Sequence, residues 1–183
     1  MSPEDMLIPN SDGDTALHLA ASKDSVEIVR CLVISTSSEG MVIKNSYGNT
    51  ALHLAVERNS FKNVCELVFY MSPENMLIKN SYGNTALHLA VSKGSLDIVK
   101  RLVIDENMLI IKNSYGNTAL HLAVERNNFE IVRELVNHMR PEEMLIPNSD
   151  GMLPVHLAAH DSNRIVDILS SQEVLDIGIT LRH

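Results

Sequence analysis

One block of 14 residues occurs three times without a change: residues 43–56, 78–91 and 111–124 all read I-K-N-S-Y-G-N-T-A-L-H-L-A-V. A looser form, Gly-x-x-x-x-His-Leu-Ala, begins at Gly13, Gly48, Gly83, Gly116 and Gly151, at intervals of 35, 35, 33 and 35 residues. This self-similarity constrains the fold more than any other feature. A unit of about 35 residues is too short to own a core, so each copy must bury its apolar face against the next.

The residues within a unit say how it is built. Asn45-Ser46-Tyr47-Gly48 is a turn, with Gly48 free to take the positive φ that side chains disfavour. Thr50 follows as an N-cap before Ala51-Leu52-His53-Leu54-Ala55-Val56, a short helix with Leu and Ala on its packing faces. A second helical stripe comes at Leu96, Val99, Leu102 and Val103, with Ile98 beside it. Neither helix is long enough to stand alone in water. After the second helix, Ser72-Pro73-Glu74 supplies an N-cap, a proline at N1 and a first-turn acid, which predicts one further helical turn.

With the turn, the two helices and the period in place, the chain resembles the ankyrin-repeat family, whose repeats carry a T-P-L-H-x-A-like motif. The matching segments are Thr15 to Ala20, Thr50 to Ala55, Thr85 to Ala90 and Thr118 to Ala123; the fifth, Leu153 to Ala158, lacks the Thr. The resemblance implies an all-α solenoid of stacked helix-turn-helix units with β-turn or hairpin connections. It sets one domain over 1–183, with repeats at about 10–44, 45–79, 80–112, 113–147 and 148–171, and a tail or cap at 172–183. Two departures stand out. The glycine usual between the helices is kept only in Lys93-Gly94-Ser95, and the connection at 71–78 is longer than a tight hairpin needs. That connection is similar to those of plant ankyrin proteins that carry a membrane-spanning region after the array.

The repeats also alternate. Ser22-Lys23 and Ser92-Lys93 mark the first and third, Glu57-Arg58-Asn59 and Glu125-Arg126-Asn127 the second and fourth, so a pair of repeats is the duplicated unit. Residues 1–10 match residues 139–148, the tail of the fourth repeat. Either a helix pair belongs before them or they fold over the first repeat as a cap. The apolar residues of the tail, Val174, Leu175, Ile177, Ile179 and Leu181, begin a further repeat or cover the last one.

Charge and cysteine content narrow the function classes. Lys and Arg total 15 against 23 Asp and Glu, for a net charge of -8, which repels phosphate backbones and argues against nucleic acid. Cys31 and Cys65 offer no disulfide framework, and the first residues are not a signal peptide, so a cytoplasmic or nuclear setting is expected. No stretch reaches the roughly 18 to 20 apolar residues of a membrane span. A monomer without cofactor or metal is the expectation.

The recurring histidines, His18, His53, His88, His121 and His156, do not suit a metal site. Stacked helices lie about 8 to 10 Å apart, whereas zinc needs its nitrogens at about 2.0 to 2.1 Å. In ankyrin proteins the matching His bonds turn and helix groups nearby, and the resemblance assigns these that role. Ser46, His53 and Glu57 have the residue types of a nucleophile, a base and an orienter, but no strained elbow or oxyanion donors accompany them. The family docks partners on the turn tips and the exposed side of the first helix, a concave strip. Carried over, that strip holds Ser46, Tyr47, Asn49, Glu57 and Arg58, then Ser81, Tyr82, Asn84 and Lys93, then Ser114, Tyr115, Asn117, Glu125 and Arg126. Asp12 and Asp150 stand in the tyrosine position at either end. The tyrosines are either anchors for a partner, with large area at small entropic cost, or they pack on the next turn. The chain thus reads as a non-enzymatic module that binds a protein partner. The alternative is a cytosolic sensor domain of a membrane-anchored, plant-like protein. Met76, Leu77 and Ile78 of the long connections are expected in the core.

Overall fold

A computed structural model describes residues 5–158 and 163–170. Within them the chain forms helices and turns and no strand. They fall into two compact units, Met1–Leu102 and Val103–His183. The expectations for residues 1–4 and for the tail at 172–183 lie outside the described residues.

In the first unit each repeat contributes two antiparallel helices. These are α1 (Ala16–Ser22) with α2 (Val26–Ser35), α4 (Ala51–Glu57) with α5 (Phe61–Tyr70), and α7 (Ala86–Lys93) with α8 (Leu96–Leu102). First helices pack on first helices, α1 on α4 and α4 on α7, and second on second, α2 on α5 and α5 on α8. The pattern of residues explains the layers. Small Ala55 and Ala90, each 0% exposed, let first helices approach closely, while Leu52, Leu67 and Leu102 fill the space between at 1%, 0% and 1% exposure. Each such leucine contributes about 2 to 3 kcal/mol through the area it removes from water.

The extra turns expected after the second helices are present as α3 (Ser38–Met41) and α6 (Pro73–Met76). Ser72 caps α6 by accepting from the Asn75 N–H at 3.4 Å. Met41 and Met76, both 4% exposed, plug the core beneath these turns, while Leu77 and Ile78 are half-buried. The predicted stripe through Val103 ends one residue early, since α8 stops at Leu102. This repeat is two residues shorter, and Asp105 caps a 3-10 turn, Glu106–Met108, by accepting from the Asn107 N–H at 2.7 Å.

The second unit repeats the motif with α9 (Ala119–Glu125) and α10 (Phe129–Val136). A 3-10 turn, Pro141–Leu145, replaces the short connection helix, and its Glu143 carboxylate, 6% exposed, is held by the Arg140 guanidinium at 2.6 Å and backbone N–H at 2.9 Å. The fifth repeat departs from the rest. Where the others have a capping Thr it has Leu153, and its first helix shrinks to a 3-10 turn, Pro154–Leu157, followed by α11 (Asn163–Leu169). α9 packs on that turn and on α10, and α10 packs on α11.

Candidate partner-binding surface

The turn tips are held from below by one asparagine each. In the second repeat the Gly48 N–H donates to the Asn45 carbonyl at 2.8 Å, closing the turn. Asn45 Oδ1 accepts from the Tyr47 and Asn49 N–H groups, both at 3.0 Å, so the whole tip is pinned to a single side chain. The same amide then reaches back, its Nδ2 donating to Asp14 Oδ1 at 2.8 Å. The third repeat reproduces this at Asn80, whose Nδ2 donates to Asn49 Oδ1 at 3.0 Å. Backbone joins backbone as well, with Ser46 N–H donating to the Asp12 carbonyl (3.0 Å) and Ser81 N–H to the Tyr47 carbonyl (3.1 Å). Gly48 sits at φ 71°, and a Cβ there would lie 2.7 Å from Ser81 N, so neighbouring tips are in van der Waals contact along the backbone. In the second unit Asn113 Oδ1 accepts from the Tyr115 and Asn117 N–H groups at 3.0 and 3.1 Å, Asn148 Nδ2 donates to Asn117 Oδ1 at 3.0 Å, and the Ser149 N–H donates to the Tyr115 carbonyl at 3.2 Å.

These bonds leave the tyrosine side chains outward. Tyr47 and Tyr82 are each 62% exposed, Tyr115 is 68% exposed, and Tyr47 and Tyr115 meet the next turn through their carbonyls. Ser46, Glu57, Arg58, Ser81, Lys93, Ser114, Glu125 and Arg126 are exposed too. Asn49 differs. It is 7% exposed and its side chain belongs to the asparagine ladder, while Asn84 and Asn117 are half-buried at the equivalent place. The structure therefore divides the sequence-derived strip into an outward set and an inward asparagine per repeat.

Beneath the tips His18, His53 and His121 each lock their own first helix to the following repeat. His53 is 1% exposed; its Nδ1 accepts from the Thr50 N–H at 3.2 Å and lies 2.8 Å from Thr50 Oγ1. Its Nε2 lies 3.0 Å from the Asn84 carbonyl, an acceptor only, so Nε2 carries the proton and Nδ1 is the acceptor in a neutral ring. His18 makes the same set with Thr15 and the Asn49 carbonyl, and His121 with Thr118 and the Met152 carbonyl. Burial lowers the His53 pKa to about 4, aided by Lys44 and His18 and opposed by the bond to Asn84. Burial also lowers those of His18 and His121. With both nitrogens engaged, these three rings have no lone pair to offer a metal or a substrate proton. His156, by contrast, is exposed, and among the described residues its ring accepts from the Leu153 N–H alone, at 3.1 Å. Cys31 and Cys65 are free thiols, one exposed and one half-buried.

The family profile described as Ankyrin repeats (3 copies) matches residues 2–76 and 106–180. The chain belongs to the ankyrin-repeat family. A single Ankyrin repeat profile matches residues 82–113, the stretch between those two. Among solved structures the chain is similar to the crystal structure of EF0377, an ankyrin repeat protein, with a TM-score of 0.75 and 23% identity over 88% of this chain and 82% of that one. No curated protein sequence matches the chain. Among the described residues no helix is long and apolar enough to cross a membrane.

A second ladder in these ankyrin repeats escapes a reading keyed to glycine. Between the helices each of the first four repeats has one left-handed residue, and among them only the third supplies a glycine, Gly94, at φ 72°. Asp24, Asn59 and Asn127 take that conformation at φ 56°, 56° and 51°. Asp and Asn are the side chains that tolerate it best. Two of them also join repeats: the Ser60 hydroxyl donates to Asp24 Oδ1, and the Ser95 hydroxyl to Asn59 Oδ1. The sequence signal was an Asn or Asp directly before Ser in the place of Gly94, as in Asp24-Ser25 and Asn59-Ser60.

Proposed function

We propose that this chain is a non-enzymatic module that holds a protein partner on its turn tips and on the exposed ends of its first helices. Ankyrin repeats are generally protein-interaction modules, and the observation that carries the finer reading here is the tyrosine at three turn tips. Each ring is more than three-fifths exposed, while the backbone beneath it is pinned by an asparagine amide. A large side chain on a rigid support loses little entropy on binding, which is what an interface anchor requires. Exposed Ser46, Ser81 and Ser114 beside the rings offer hydroxyls for adaptable hydrogen bonds, and Glu57, Arg58, Lys93, Glu125 and Arg126 supply charge of both signs for orientation.

Quantitative capture from cells tests the reading, comparing the wild-type chain with the Tyr47→Ala, Tyr82→Ala, Tyr115→Ala triple variant. Truncating an anchor costs about 1 to 4 kcal/mol. A specific partner should therefore be depleted at least about tenfold by the triple variant and retained by Ile34→Ala with Phe69→Ala, which alters exposed residues on the second helices. Equal recovery by a triple variant with an unchanged circular dichroism spectrum would remove the tyrosines from the binding surface.

A further inference from the structure

Phe61 and Phe129 stand at the same place, the first residue of the second helix in their repeats, yet the two rings have different surroundings. Two guanidinium groups lie over Phe129. Arg164, from α11 of the next repeat, is 3.8 Å from the ring centroid, and Arg133, one turn along α10, is 5.8 Å from it. The ring is half-buried beneath them. Phe61 is 45% exposed, and among the described residues no cation lies over it. The sequence accounts for the difference: where α10 carries Arg133, α5 carries Cys65, and where α11 carries Arg164, α8 carries Asp97.

The packing sets Asp97 against Phe61 as it sets Arg164 against Phe129. α5 packs on α8 as α10 packs on α11, and the residues after Asp97 and Arg164, Ile98 and Ile165, are each 1% exposed. The Ser95 hydroxyl, two residues before Asp97, donates to Asn59 Oδ1, two residues before Phe61, so the starts of the two helices are tied level. Asp97 is exposed and makes no ion pair among the described residues. Lys62 occupies the Arg164 place of its own repeat, on the side of α5 that meets α2.

We propose that Phe61 and Asp97 form a binding site for an arginine side chain of a partner protein, its guanidinium stacked on the open ring face and paired to the Asp97 carboxylate. The occupant follows from the filled example in the same chain, since Arg164 already covers the equivalent ring. A planar guanidinium stacks on a ring where a compact ammonium does not, and its fork of N–H groups matches a carboxylate. An exposed cation–ring contact strengthens binding about two- to fivefold, and the carboxylate adds to this. The site is separate from the tyrosine tips and does not rest on their acting as anchors.

The chain has three phenylalanines, so ring signals from isotope-labelled phenylalanine report three places by nuclear magnetic resonance, with Phe69, 74% exposed, as an internal control. Titration with the peptide acetyl-Gly-Arg-Gly-amide should shift the Phe61 signals saturably and leave those of Phe69 and Phe129 in place. Peptides with citrulline or lysine instead of arginine should need at least about threefold more for half-saturation, because the first lacks the charge and the second the plane. Asp97→Asn should weaken the arginine response by about threefold. Asp97→Arg should supply the missing cover from within, moving the Phe61 signals towards those of Phe129 without peptide and abolishing the response. Equal shifts at Phe69 and Phe61, a citrulline response as tight as that to arginine, or a full response in Asp97→Arg overturns the proposal. A lysine peptide that binds as tightly overturns arginine as the occupant.

Discussion

Acidification should weaken the first unit well above the pH at which ordinary carboxylates titrate, and His53 sets the size of the effect. Its ring is neutral because Nδ1 must accept from Thr50 while Nε2 donates to the Asn84 carbonyl, and burial lowers its pKa from 6.5 to about 4. Between those values the unfolded chain holds a proton on His53 and the folded chain does not. Stability therefore falls as pH falls through that window, by about 1.4 kcal/mol per pH unit. The contribution is complete above pH 6.5 and gone below about 4; its total is on the order of 3 kcal/mol. His18, lowered in the same direction by burial, adds to the slope. Glu66 does not interfere in this range, because Arg30 lowers its pKa and its effect appears only further down. Urea unfolding followed by circular dichroism at pH 7.5, 6.5, 5.5 and 5.0 measures the slope in the wild type and in His53→Gln. Glutamine can still reach back to the Thr50 N–H but cannot titrate. The two proteins should differ by close to one proton in linkage between pH 6 and 5. A His53 ring resonance that titrates near 6.5, or identical slopes, would refute the assignment of a neutral, doubly bonded imidazole.

Three further substitutions separate the forces in the fold. Gly48→Ala should destabilise by at least about 3 kcal/mol, since it combines a left-handed φ with a Cβ placed against the Ser81 backbone, whereas Gly151→Ala, at φ 74° with open space around it, should cost only about 1 to 2 kcal/mol in the same melt. Asn63→Ile should stabilise by about 1 to 2 kcal/mol in urea titration, because Asn63 is fully buried with its Oδ1 unpartnered among the described residues, at the position that holds Ile98 in α8; a loss of stability would mean that its long 3.4 Å bond to the Ala21 carbonyl matters more than the buried amide costs. Thr118→Val keeps the shape of the cap and removes the hydroxyl beside His121 Nδ1, so it should lower the melting temperature by the equivalent of about 1 kcal/mol; an unchanged midpoint would show that the backbone N–H alone satisfies the ring.

The order of turn and helices was legible in the residues themselves because short-range sterics and caps decide it. Gly48 permits its turn, Thr50 starts α4, and Ser72-Pro73 starts α6, each within a few residues of the element it governs. The left-handed inter-helix turn was less legible where glycine is replaced, since Asp24 and Asn59 take the same conformation as Gly94. The candidate surface was legible in part. The tyrosines stand exposed at the turn tips, but Asn49, a polar turn residue like its neighbours in sequence, is consumed by Asn80, 31 positions away. His53 likewise meets its carbonyl partner 31 positions on, at Asn84. No local pattern specifies such a bond; it exists because one repeat lies on the next. Ile28 and Ile98 make the point most directly. Both stand third from the cap on a second helix, and the sequence gives them the same apolar character, yet one is 55% exposed and the other 1%. Residue type fixed what each position prefers, while the presence or absence of a packed neighbour decided whether water was removed from it.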